Sequence, residues 1–198
     1  MKKLFLMAVM AMITLAANAQ QGEYFVTPRV GLGYTHNSGF GEFCNGFGVS
    51  LGAEYEYMVS DKVGLSAGVD FLYSQSDRVE ESTPAEHYNS GESYTEFSFL
   101  NIPLIVQLHA GQFAFKAGLQ PTINTSATLH VDGVKIGTDN LRKVGLALPF
   151  GVSYQFRSPL VLDLRCALPI TKLNKEDNLD GDPDNKFTSV MLTLGWKF

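Results

Sequence analysis

The chain has 198 residues, 15 of them Lys or Arg and 20 Asp or Glu, for a formal net charge of −5. An acidic chain of this kind lacks the basic face that nucleic-acid binding requires, and its length suits one domain. It is 45% hydrophobic and only 18% charged, with 14 Phe and 8 Tyr, which is less charge than a soluble surface normally carries.

The first element is a leader. "MKKLFLMAVMAMITLAANAQ" has Lys2 and Lys3, an apolar run from Leu4 to Ile13, and small residues closing on Ala17-Asn18-Ala19. That order predicts a secretory signal peptide over residues 1–19, leaving residues 20–198 as one domain with 13 basic and 20 acidic residues. No later stretch approaches the ~18 consecutive apolar residues of a membrane helix.

Eight segments of period-2 alternation follow, at about 26–36, 45–58, 63–74, 94–108, 113–126, 144–156, 160–170 and 188–198. In the second, Phe47, Val49, Leu51, Ala53, Tyr55 and Tyr57 alternate with Gly48, Ser50, Gly52, Glu54 and Glu56. The fourth, "FLNIPLIVQLH", is less regular: Ile105 falls on the polar face and Pro103 removes a ladder hydrogen bond. Pro149 and Pro169 do the same in the sixth and seventh. Tight turns near 59–62, 109–112 and 157–160 alternate with long polar loops at 37–44, 75–93, 127–143 and 171–187. Short turns at one end and long loops at the other are the plan of an all-β, eight-stranded, antiparallel up-and-down transmembrane β-barrel, short turns toward the periplasm.

Alternation leaves open which face is wet, since a soluble eight-stranded ligand carrier alternates in the opposite sense. The aromatics decide for the membrane. Tyr55, Tyr57, Phe113, Phe115, Tyr154, Phe156, Trp196 and Phe198 all fall on the apolar face at the short-turn end, as a membrane-interface belt requires. Tyr34, Phe71 and Tyr73 supply a thinner belt at the other end. Val49, Leu51, Leu65, Val69, Leu100, Ile102, Leu104, Leu146, Leu148, Leu162, Leu164, Leu192 and Leu194 lie between them. The opposite face lines the interior with Arg29, Lys116, Arg165 and Lys197 against Glu54, Glu56, Asp70 and Asp163. Buried charges must pair, and the expected partner of Arg29 is Glu54 or Glu56 on the neighbouring strand.

These residues also carry a resemblance. The "ANAQ" ending of the leader, "FLNIPLIVQL", "GLALPFGVSYQF", "LVLDLRCAL" and the terminal "LGWKF" together resemble the small outer-membrane β-barrels of the Bacteroidota, the porin-family or PorT-like group of OmpX-like architecture. The resemblance spans residues 20–198 and implies residence in the outer membrane of a Gram-negative bacterium. It also implies that the C-terminal strand is read by the outer-membrane assembly machinery. The partners expected are therefore membrane lipid, that machinery and an unidentified surface-loop ligand, for a monomeric barrel; neither nucleic acid nor a cofactor is expected. In a closed barrel the last strand must pair with the first, which accounts for an ending on Phe198 without a polar tail.

Candidate sites are sparse. In "KEDNLDGDPDNK", Glu176, Asn178, Asp180, Asp182 and Asp184 space oxygen ligands as in the first part of a calcium-binding loop. Phe187 stands where the closing glutamate belongs, so a solvated acidic loop is the expectation and calcium the alternative. His36 near Ser38 and His87 near Ser90 suggest a lipid-modifying enzyme, but neither pair has a nucleophile motif or an orienting third group. Those histidines, with His109 and His130, are expected to be polar loop residues, with no catalytic site. Cys44 and Cys166 fall on non-neighbouring strands and are expected to stay unbridged. The function predicted is that of a non-catalytic outer-membrane barrel, structural or binding through its loops, with its interior plugged by charged side chains. The competing readings are a secreted soluble carrier of a small apolar ligand and an outer-membrane lipid-modifying enzyme.

Overall fold

The computed structural model describes residues 24–38, 43–78, 94–131, 134–137, 142–173 and 186–198. The leader, the acidic loop containing Glu176, Asn178, Asp180, Asp182 and Asp184, and the pair His87 and Ser90 lie outside the described residues, as does the Cys44 side chain.

Among the described residues ten strands form one antiparallel sheet: β1 (Tyr24–Ser38), β2 (Phe43–Ser60), β3 (Val63–Arg78), β4 (Tyr94–Asn101), β5 (Leu104–Ala110), β6 (Phe113–Val131), β7 (Val134–Gly137), β8 (Val144–Gln155), β9 (Leu160–Pro169) and β10 (Lys186–Trp196). β1 pairs with β2 on one side and with β10 on the other, from Arg29↔Gly195 to Ser38↔Lys186. The sheet is thereby closed into a ring, with β7 paired to β6 alone outside it. Phe198 completes the seam: its amide donates to the Val26 carbonyl at 2.9 Å, and the Val26 amide donates back at 3.3 Å.

The ring has eight staves, because β4 and β5 are one stave in two pieces and both pair with β3 and β6. The predicted strand 94–108 is thus interrupted at Ile102–Pro103, where proline has no amide to give. The ladder is carried past the gap by Gly68 N–H to the Pro103 carbonyl and Ile102 N–H to the Pro121 carbonyl, each 2.9 Å. Pro149 leaves a similar gap, between the pairs Ala117↔Phe150 and Gln120↔Ala147.

At the long-loop end the strands outrun the expected boundaries. β1 continues to Ser38, β2 starts at Phe43, β3 reaches Arg78, and β6 runs to Val131 and is met by the short return strand β7. The segments read as loops at 37–44 and 127–143 are therefore partly sheet. Hydropathy alternation fades where the wall leaves the bilayer, while backbone pairing needs no apolar face and continues. At the other end the turns are short; in the one joining β5 to β6, Gly111 adopts φ 64°, a left-handed conformation that favours glycine.

The two faces are sharply unlike. Val30, Leu32, Leu51, Leu65, Val69, Leu104, Leu148, Leu164, Leu192 and Leu194 are exposed on the outside, while Arg29, Glu54, Ser66, Lys116, Asp163, Arg165 and Thr193 are buried inside. Leu100, Ile102, Leu146 and Leu162 of the expected lipid face are half-buried. Nothing but lipid suits an outer surface of this kind.

Candidate functional site

Among the described residues, the feature within the wall that can carry function is what fills it. Its lower half, nearer the short turns, holds the eight charges expected inside, and they meet in two groups. In the first, Arg29 ion-pairs with both Glu54 and Asp70. Lys116 donates to Glu54 at 3.0 Å and pairs with Asp163. Arg165 reaches Glu54 at 2.8 Å, Asp163 at 3.4 Å and Asp70 at 3.7 Å. Gln107 adds a hydrogen bond to Glu54 at 2.8 Å. Glu54, from β2, is the hub; Arg29 comes from β1, Asp70 from β3, Lys116 from β6, and Asp163 and Arg165 from β9. Three largely buried cations thus face three largely buried carboxylates, the arrangement in which buried charge is tolerated.

The second group sits at the short-turn mouth, where Glu56 accepts from Lys197 at 2.8 Å and lies 2.6 Å from His109 Nε2. The Lys197 ammonium also stands 3.9 Å over the Phe25 ring, a cation–π contact. Arg29 therefore takes Glu54 and Asp70, and Glu56 belongs to the mouth. Gly52 shows why the inward glycines matter: a Cβ there would collide with Asp70 Oδ1 and the Val69 carbonyl, so the side chain it lacks is the space the network uses.

The upper half of the interior holds an apolar cluster on one side and buried polar side chains, Thr35, Asn37, Ser74 and Ser76 among them, on the other. Leu72, Phe97, Phe99 and Met191 are buried against one another, with Phe187, Leu173 and Ala127 packed on them. The Phe99 and Phe187 rings lie 4.6 Å apart and those of Phe97 and Phe99 5.9 Å. On the β1–β3 side of the same level, the Thr35 and Ser74 hydroxyls meet at 2.6 Å.

Sequence reasoning missed this layer together with Gln107 and His109. The signal for the last two was parity, because both share the inward face with Ile105. For the layer it was the inverted order of β4, where Phe97 and Phe99 face inward and Glu96 and Ser98 outward.

On the outer wall the short-turn belt includes two clusters of packed rings. Tyr24 stacks with Tyr55 at 6.1 Å and meets Tyr57 at 5.3 Å, Phe113 meets Tyr154 at 5.0 Å, and Tyr154 meets Phe156 edge-on at 4.9 Å. Phe115, Trp196 and Phe198 are exposed alongside. Three of the histidines expected in loops are on strands. His36 Nδ1 lies 2.9 Å from Asn45 Oδ1. His109 serves the mouth. His130 stacks on Tyr94 at 4.3 Å and lies 3.3 Å from Glu96, which also accepts from the Tyr73 hydroxyl at 2.8 Å. Cys166 is free and half-buried on β9. Among the described residues no cluster of His, Cys, Asp and Glu has the makings of a metal site.

Residues 7–198 match the family model described as the outer membrane protein beta-barrel domain. The chain belongs to that family. This outer-membrane β-barrel is also similar in fold to neisserial surface protein A, at a TM-score of 0.60 and 16% identity over 88% of this chain and 97% of that one. A second likeness is to Ail, the attachment invasion locus protein of Yersinia pestis, solved in complex with the heparin analogue sucrose octasulfate. There the TM-score is 0.54 and the identity 18%, over 89% of this chain and 100% of that one. Likeness at these identities concerns the fold alone. Comparison with curated proteins finds no match. The barrel resides in the outer membrane of a Gram-negative bacterium, which agrees with the lipid-facing wall.

Proposed function

We propose that this outer-membrane barrel is a non-catalytic scaffold, plugged inside, that acts through the segments at its long-loop end. The observation that carries this reading is the filling of the interior: an ion-paired layer centred on Glu54 and an apolar layer centred on Phe99 occupy the lumen at successive levels. An eight-stranded barrel is just wide enough for such filling. What remains to meet a partner is the outward rim and its loops.

The proposal includes the finer grouping with the PorT-like barrels of the Bacteroidota, supported by "FLNIPLIVQL" and "LGWKF", and a monomeric state. It also includes engagement of the closing strand by the assembly machinery, supported by the Phe198–Val26 seam.

The test is single-channel recording from the purified protein in planar bilayers, paired with mass spectrometry of outer-membrane lipids from cells with and without it. The reading expects a silent bilayer and identical lipid profiles. Stable uniform channels would remove the plug, and a protein-dependent change in lipid acylation would replace the scaffold by an enzyme.

A further inference from the structure

The ion pairs of the lower interior leave one sizeable space unfilled. It is a cavity of about 120 Å³ whose walls include His109, Lys116, Asp163, Thr193 and Lys197, and it reaches the short turn at Gly111 and Gln112. Exposure rises along it: the side chains of Lys116 and Asp163 are each 5% exposed, those of Lys197 and His109 19% and 21%. The cavity thus opens toward the short turns and ends inward on the ion-paired layer.

Its inner end carries hydrogen-bonding capacity that the protein does not use. Asp163 gives Oδ2 to Lys116 and Arg165, but its Oδ1 has no partner, and neither has the Thr193 hydroxyl. Both residues are more than nine-tenths buried, at 3% and 7% exposed, and they face each other in register across β9 and β10. Buried polar atoms of this sort are met by something, and an unmet carboxylate oxygen beside an unmet hydroxyl calls for a group with several N–H or O–H donors. The lysines of the same cavity offer the reverse. An ammonium has three donors. Lys116 uses two, on Glu54 and Asp163, and Lys197 one, on Glu56, beside its contact with the Phe25 ring. Donors therefore remain for an anionic group.

Charge balance narrows the occupant. Arg29, Lys116, Arg165 and Lys197 match Glu54, Glu56, Asp70 and Asp163 in number, so a free cation or anion would leave one charge uncompensated in a largely buried space, which is costly. A molecule carrying one charge of each sign escapes that cost. Size limits it further: a cavity of about 150 Å³ holds benzene, so this one takes a molecule of roughly five heavy atoms.

We propose that the lower cavity is a binding site for a small zwitterion of the amino-acid class, of about the size of glycine. Its ammonium group donates to Asp163 Oδ1 and Thr193 Oγ1, and its carboxylate accepts from Lys116 and Lys197. The ligand enters and leaves by the short-turn mouth and does not pass through the barrel. The inference goes beyond the scaffold reading by giving the end opposite the long loops a ligand of its own.

The experiment is a titration of the folded, nitrogen-15-labelled barrel in detergent micelles, followed by its amide resonances, with glycine, methylammonium and acetate as separate probes. Glycine is expected to give saturable shifts centred on β9 and β10 around Asp163 and Thr193. Methylammonium and acetate, each lacking one end, should bind about ten-fold more weakly or worse, the factor that one charge-assisted hydrogen bond supplies. Thr193→Val keeps the side-chain shape and every ion pair, and should weaken glycine binding by a similar factor; Asp163→Asn should weaken it further. Heat-dependent gel mobility verifies that each variant is folded, and should Asp163→Asn fail to fold, Thr193→Val decides. No saturable response to glycine would mean that the cavity holds water alone and would overturn the proposal. Acetate or methylammonium binding as tightly as glycine would remove the zwitterion, and a Thr193→Val barrel with unchanged affinity would remove the assigned position. The scaffold reading is decided separately by the bilayer recordings and lipid profiles, so the two failures are distinguishable.

Discussion

The lower and upper halves of the interior solve one packing problem in opposite ways. Below, Arg29, Glu54, Asp70, Lys116, Asp163 and Arg165 fill the lumen with directional contacts, each fixed by the strand that carries it. Above, Leu72, Phe97, Phe99, Met191 and Phe187 pack together with contacts that have no required direction, beside the buried hydroxyls of Thr35, Ser74 and Ser76. The difference follows from what lies outside the wall. Where the wall faces hydrocarbon, every outward position is apolar, and alternation hands the polar residues to the inside, where they must pair. Where the wall rises out of the bilayer, Glu96 and Ser98 face outward, and the inside is released to take phenylalanine.

Three substitutions sharpen that contrast. The largest effect is expected at Glu54, whose carboxylate meets Arg29, Lys116 and Arg165. Glu54→Ala leaves three buried cations against two carboxylates and should cost ~3–5 kcal/mol, read as the unfolding midpoint in lipid vesicles. A midpoint unchanged by Glu54→Ala would mean that Glu54 is not the hub on which the interior charges depend. Phe99→Ala removes a ring at the centre of the upper layer and should cost about 3 kcal/mol. Its loss should be insensitive to added salt, whereas a salt dependence like that of Glu54→Ala would erase the distinction between the halves. The smallest effect is expected at Gly52, where a Cβ must displace Asp70. Gly52→Ala should cost ~1–3 kcal/mol by overpacking. Pairing it with Asp70→Ala should recover part of that loss, and no recovery would show that the Val69 carbonyl sets the cost.

How much of this was legible depends on height in the same way. Lys116, Asp163 and Arg165 stand alone on the polar face of strands whose other face is leucine and phenylalanine, so their inward direction, and the lipid direction of Leu192 and Leu194, could be read from period 2. The partner of Arg29 was half legible: register places Glu54 and Glu56 on the adjacent strand, but only the third dimension brings Asp70 across to the same guanidinium. The apolar layer was marked only by the inverted order of β4. A rule that sends apolar residues outward misdirects Phe97 and Phe99, and nothing local in "YTEFSFLN" marks where the bilayer stops. The division of the fourth stave into β4 and β5 was visible as Pro103; that the ladder survives the break through Gly68 and Pro121 was not, because it depends on neighbours far away in sequence.

The account stands on the wall being turned apolar side out to lipid, and one pair of neighbours tests that directly. Leu192 is 43% exposed and Thr193 7% exposed, one residue apart on β10 and on opposite faces. Unfolding in bilayer vesicles should show Leu192→Arg costing ~2–4 kcal/mol, with Leu192→Asn costing clearly less. Thr193→Arg, beside Asp163, should follow the interior charge balance and be relieved when Lys116 is also changed to Ala. Equal losses for arginine and asparagine at 192, with no interior coupling at 193, would contradict the assignment of the faces.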